Sequence, residues 1–145
     1  MGDKPVTISY RVPYADTDQM GVVYYANYLI YFERFRNELL RRTGVSYREW
    51  EEKGIALPVI EACCRYRAPA RYDDVLTVGG GISPVKGTRI RIDYRVLRGE
   101  TLLAEGYTVH ACLNRAGRPV RIPAGLLEGG GGIQNTEFRS QNAGE

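Results

Sequence analysis

Val23–Thr43 reads VYYANYLIYFERFRNELLRRT. Within it Tyr28, Tyr31, Phe32, Phe35, Leu39 and Leu40 recur at spacings of three and four, with Arg34, Arg41 and Arg42 on the other side. Gly44 stands where a terminating glycine belongs. The spacing predicts one long amphipathic helix from about Val23 to Thr43 with a wide aromatic face. A face of that width must be covered by something broad, and the flanking sequence supplies strands.

Upstream, Val6, Ile8, Tyr10 and Val12 alternate with Thr7, Ser9 and Arg11, a half-buried strand stopped by Pro13. Downstream, a short helix is predicted over Ser46–Lys53, with Ser46 and Glu49 at capping-box spacing and Gly54 as terminator. Four strands follow at Ile55–Arg67, Val75–Ile82, Thr88–Leu97 and Leu102–Asn114. The clearest alternates Ile90, Ile92, Tyr94 and Val96 with Arg91, Asp93 and Arg95. Pro84–Gly87 and Arg98-Gly99-Glu100 suit hairpin connectors. The result is an α+β domain whose antiparallel sheet wraps the long helix, with an outer sheet face expected to stay partly apolar. Four consecutive glycines at 129–132 and the polar stretch 133–145 read as linker and tail, so the folded domain is expected over 1–128.

The 145 residues, 43% hydrophobic and 26% charged, fit one such domain and exclude a fibrous or collagen-like chain. Twenty basic against 17 acidic residues give a net charge of +3, without the clustered basic stripe of a nucleic-acid binder. The lysines are Lys4, Lys53 and Lys86, and the other 17 cations are arginines, which favour carboxylate and phosphate partners. Cys63, Cys64 and Cys112 make no disulfide framework, which points to a reducing cytoplasm. No stretch is apolar for the length of a signal peptide or a membrane span, so a soluble intracellular protein is expected.

No zinc pattern, P-loop, nucleophile elbow or dinucleotide fingerprint is present, so no metal is expected. His110, the lone histidine, has no nucleophile beside it and reads as a structural residue, and the cysteines read as small buried ones. There remains Tyr14–Tyr28, where Asp16 and Asp18 immediately precede the helix start. Free backbone N–H groups and the positive end of the helix dipole converge there, able to bind an anion or polarise a carbonyl. A carboxylate nearby could attack that carbonyl or activate a water. Two aspartates shaping a turn would leave the same trace in the sequence.

The run Asp16-Thr17-Asp18-x-x-Gly21-x-Val23-x-x-x-Asn27-Tyr28, followed by Phe32-Glu33-Arg34, resembles the active-site segment of hotdog-fold acyl-CoA thioesterases of the 4-hydroxybenzoyl-CoA thioesterase and YbgC-like group. The resemblance continues through Gly54-Ile55, Pro58-Val59, Ala70–Leu76, Gly117-Arg118-Pro119 and Ile122-Pro123, covering roughly residues 6–128. It implies a hotdog fold, a sheet wrapped around one central helix.

By the same resemblance Asp18 is the catalytic carboxylate, as nucleophile or as general base, and the Tyr25 backbone N–H polarises the thioester carbonyl. Many YbgC-like members carry histidine at that position, whereas the hydroxybenzoyl type has tyrosine, as here. Gly21 lets the backbone approach the acyl group, Glu33 and Tyr28 face substrate, and Lys86 and Arg89 bind the coenzyme A phosphates, with Arg118 and Arg121 as further candidates. Coenzyme A belongs to the substrate and no other cofactor is implied. Subunits of the group pair sheets edge to edge and form active sites between them, so a dimer, paired again into a tetramer, is expected. Two readings stand beside hydrolysis of a short-chain or aromatic acyl-CoA: a non-catalytic acyl-CoA-binding module, and an enzyme taking its acyl group from a carrier protein.

Overall fold

The computed structural model describes residues 5–43, 47–123 and 126, apart from the side chains of residues 47 and 49. Strand β1 (Thr7–Arg11) leads through a single 3-10 turn (Tyr14–Asp16) to helix α1 (Asn27–Arg41) and helix α2 (Tyr47–Glu52). Strands β2 (Val59–Tyr66), β3 (Val75–Lys86), β4 (Arg89–Arg98) and β5 (Thr101–Ala111) follow. All pairings are antiparallel and the sheet runs β1-β3-β4-β5-β2. This is the hotdog arrangement: five strands curved around α1, whose buried residues are the predicted Tyr28, Tyr31, Phe32, Phe35, Leu39 and Leu40. Gly44, Ser46, the 124–125 and 127–145 segments and the expected domain boundary at 128 lie outside the described residues.

Three boundaries shift by four residues from expectation, two of them through a long-range pairing. Helix α1 starts at Asn27 rather than Val23, because Val22 bridges to Arg71 and the Val23 N–H donates to the Ala70 carbonyl. β2 starts at Val59 rather than Ile55, the intervening Ala56 being held by Leu113. β3 runs on through Pro84 to Lys86, so the predicted Pro84–Gly87 connector shrinks to Gly87 and Thr88. Gly79-Gly80-Gly81 thus sits in the middle of β3.

Those glycines set the curvature. Gly80 pairs with Tyr94, Tyr94 with Gly106, and Gly106 with Cys64, so one row across four strands carries a large aromatic flanked by residues without side chains. A Cβ at Gly80 would stand 1.8 Å from the Asp93 carbonyl oxygen, and one at Gly106 2.0 Å from that of Cys63. The strands bend together along this row, and the Tyr94 ring lies flat on Phe32 of α1, centroids 4.2 Å apart.

The outer sheet face is mixed: Val75 and Val85 of β3 are nearly half exposed on it, while β4 and β5 carry charge there. Arg91 pairs with Asp93 at 3.0 Å and covers the Tyr107 ring, Tyr107 donates to Glu61 at 2.7 Å, and Glu105 holds Arg67 at 2.6 Å. Arg91, Asp93 and Arg95 are the very residues that alternate with the buried Ile90, Ile92, Tyr94 and Val96, so period-two alternation puts them on the face away from α1, where Asp93 is in turn covered by its neighbours. Further apolar surface lies on β2, an edge strand, where Val59 and Ile60 are nearly half exposed.

Candidate active site

The segment between β1 and α1 is fixed from one side by Asp16. Its Oδ2 accepts hydroxyl hydrogens from Tyr10 and Tyr31, both at 2.8 Å, and its carbonyl oxygen accepts from the Tyr24 N–H and the Asn27 side chain, both at 2.9 Å. One residue thus ties β1, the loop and the first turn of α1 together. Asp18 sits in the reversal this creates: its N–H donates to the Val22 carbonyl and its carbonyl accepts from Gly21, whose φ of +82° suits a residue without Cβ. Asp18 Oδ1 accepts from the Met20 N–H at 2.9 Å, while Oδ2 is left without a partner among the described residues.

Helix α1 begins without a side-chain cap, its N-cap residue being Ala26, and Asn27, its first residue, turns back to Asp16. Among the described residues the Tyr25 N–H donates to no acceptor. Asp18 and Tyr25 line one cleft of about 420 Å³ with Tyr28, Tyr66, Arg67 and Pro69. Tyr66 closes its far wall, donating to the Tyr25 carbonyl at 3.0 Å and packing edge-on against Tyr28. Arg67 is anchored by Glu105, both Nε and Nη2 reaching one carboxylate oxygen. A free carboxylate oxygen and a free helix-start amide therefore open on one aromatic-walled space.

Among the sequence candidates, Asp18, Tyr25 and Tyr28 meet at this cleft, with Gly21 in the loop beside it. Glu33 does not join them. It lines a second cleft of about 520 Å³ with Arg36, Leu40, Leu57, Ile90, Ile92 and His110. Lys86 and Arg89 pair across the closed end of the β3–β4 hairpin, beside the Arg121 guanidinium. Lys86 lies eleven residues along β3 from Val75, which pairs with β1, and neither Lys86 nor Arg89 lines the Asp18 cleft. Arg118 lies in the turn closed by Asn114. Sequence reasoning missed Tyr66 and Arg67, which reach the site by contacts spanning some forty positions.

His110 is the structural residue expected. It is 1% exposed, with Nδ1 against the Leu57 carbonyl at 2.9 Å and Nε2 against the Thr108 hydroxyl at 2.8 Å. Burial lowers its ring from the usual 6.5 to about 4, the Leu57 bond opposing and the Arg36 charge assisting. Between those values the unfolded ring binds a proton that the folded one refuses. Stability is thus complete above pH 6.5 and falls by up to about 3 kcal/mol as pH drops towards 4. Thermal midpoints between pH 7 and 4.5 check this: His110→Gln removes most of the slope above pH 5, and an unchanged slope would refute a neutral buried ring.

Cys112 is buried and Cys63 and Cys64 are half-buried, all as thiols, with burial pushing those of Cys64 and Cys112 up. Among the described residues no three His, Cys, Asp or Glu side chains are grouped to hold a metal, and no helix is long and apolar enough to cross a membrane.

Residues 12–130 match the Thioesterase-like superfamily. The chain belongs to that family. The acyl-CoA thioesterase YbgC of Haemophilus influenzae is 36% identical over 125 residues, covering 85% of this chain and 92% of that protein. A solved hypothetical protein from Thermus thermophilus superposes with a TM-score of 0.80 at 36% identity, over 89% of this chain and 98% of its own. A 1,4-dihydroxy-2-naphthoyl-CoA thioesterase from Synechocystis does so with a TM-score of 0.77 at 28% identity, over 84% and 92%. This thioesterase-family chain is accordingly a hydrolase of thioester bonds.

Proposed function

We propose that the chain hydrolyses a short-chain or aromatic acyl-CoA to the free carboxylic acid and coenzyme A, with Asp18 and the Tyr25 amide as its chemical groups and no added cofactor. The observation that carries this is the pairing of an unpartnered Asp18 oxygen with an unpartnered backbone amide, that of Tyr25 just ahead of α1, in one cleft. The thioester oxygen accepts from the Tyr25 N–H, which stabilises the negative charge that develops on it. Asp18 Oδ2 then either attacks the carbonyl carbon, expelling the thiolate and leaving an anhydride for water to open, or takes a proton from the attacking water. Tyr24, Tyr25, Tyr28 and Tyr66 suit a flat or short acyl group. A thiol-release assay over aliphatic and aryl acyl-CoAs tests the reading. Turnover of none of them, with binding retained, would leave an acyl-CoA-binding module instead.

The exposed β2 edge supports pairing of two copies by antiparallel addition. Lys86 and Arg89, which do not line the Asp18 cleft of their own chain, then grip coenzyme A phosphates at a site to which another subunit contributes. Raising ionic strength is expected to raise KM several-fold with little change in kcat, and Lys86→Gln with Arg89→Gln to remove most of that dependence. A salt response unchanged in the double variant would place the phosphates elsewhere.

A further inference from the structure

The second cleft, beside the C-terminal half of α1, takes no part in the chemistry above. Its floor is apolar, made by Leu40, Leu57, Ile90 and Ile92, and Arg36 stands half-buried on its wall. Among the described residues no carboxylate pairs with Arg36; its recorded partner is the Tyr94 hydroxyl, at 3.1 Å from Nη1. That bond opens a chain with one allowed direction. The Leu57 carbonyl can only accept, so His110 carries its proton on Nδ1 and accepts at Nε2 from Thr108. Thr108 therefore accepts from Tyr94 at 2.6 Å, and the Tyr94 oxygen accepts from Arg36. The relay holds the guanidinium by one N–H, leaving the rest of its fork without a partner.

A half-buried cation beside apolar side chains, held by one neutral hydrogen bond and in no ion pair, is free to take up an anion without first giving up a charged partner. The cleft has the size of a small-ligand site, and a guanidinium fork fits a carboxylate in two parallel bonds. Glu33 lines the same cleft but is exposed and makes no ion pair with Arg36, so water screens its repulsion. The ligand that fits is an apolar stem ending in a carboxylate.

β2 supplies the link to catalysis. It starts at Val59, two residues beyond Leu57 of this cleft, and ends at Tyr66 of the Asp18 cleft. Antiparallel pairing of two β2 edges sets the Leu57 end of one copy against the Tyr66 end of the other. In such a pair the second cleft of one copy would lie at the same end of the shared edge as the Asp18 cleft of the other, within reach of an acyl group held at Tyr25. We propose that Arg36 is a specificity-determining residue that selects acyl groups bearing a carboxylate at the end remote from the thioester. This rests on the hydrolase reading above.

The test uses the full chain and two acyl-CoAs of matched length, one ending in a carboxylate (glutaryl-CoA) and one in a methyl group (valeryl-CoA). The expected result is a preference of about tenfold or more in kcat/KM for the first, which Arg36→Met collapses towards one and Arg36→Lys partly restores. Absence of preference in the native protein, or a proportional fall for both thioesters in Arg36→Met, overturns the proposal and leaves the hydrolase reading standing. If neither thioester is hydrolysed, calorimetric binding of the same pair decides. Arg36-dependent binding of glutaryl-CoA alone keeps the carboxylate site while removing short aliphatic thioesters from the hydrolase reading, and equal or absent binding of both removes the site.

Discussion

Asp18→Asn is expected to lower kcat for thioester hydrolysis about a thousandfold or more while leaving fold and thermal midpoint nearly unchanged. The two effects separate because the carboxylate has two oxygens with different work. Oδ1 accepts from the Met20 N–H and closes the reversal between Asp18 and Val22; an asparagine oxygen does this equally well. The Oδ2 position, open to the cleft, becomes an amide nitrogen that can neither attack a carbonyl nor take a proton from water. Asp18→Ala would remove both functions and blur the result. Release of thiol from the most active acyl-CoA, measured beside circular dichroism of the same variant, is the check. Near-normal turnover in Asp18→Asn would end the assignment of Asp18.

Gly106→Ala is expected to destabilise the protein by about 3 kcal/mol or more, a fall in Tm of roughly 10 °C. The added Cβ would lie 2.0 Å from the Cys63 carbonyl oxygen and 3.1 Å from the Cys64 Cα. Both are backbone atoms of the paired strand, so no rotamer relieves the overlap, and relief means separating β2 from β5 where they pair. Gly79→Ala provides the comparison. Its Cβ meets the movable Thr7 methyl at 3.3 Å, and a cost below about 1 kcal/mol is expected. Equal Tm values for the two variants would mean that the bend is not held by Gly106.

Periodicity carried most of the fold. The three-and-four spacing in Tyr28–Leu40 named the buried face of α1, and alternation in β4 named the residues that meet it. The same alternation held the polar character of the β4 part of the outer face in plain view, through Arg91, Asp93 and Arg95. Boundaries were lost wherever a partner distant in sequence took the backbone, as Ala70 and Arg71 do with Val22 and Val23. The site divided in the same way. Asp18 and Tyr25 are close in sequence and were legible as a helix-start constellation, whereas Tyr66 and Arg67 enter it through β2, and nothing local marked them. Glu33 was legible as a residue of the helix but not as one turned to a different cleft from Asp18. That depends on where α1 crosses the sheet.

The double grip on Asp16 also sets a limit at high pH. Burial and the Asp16 carboxylate push the phenols of Tyr10 and Tyr31 above their ordinary value of 10. In the unfolded chain both would release their protons near that value, so alkali favours unfolding from about pH 10 upwards. Phenolate absorbance from these two rings should therefore emerge together with the loss of near-ultraviolet dichroism. The share of that absorbance lost when Tyr10 and Tyr31 are both replaced by phenylalanine becomes an optical gauge of whether the loop carrying Asp18 is still fastened to the helix.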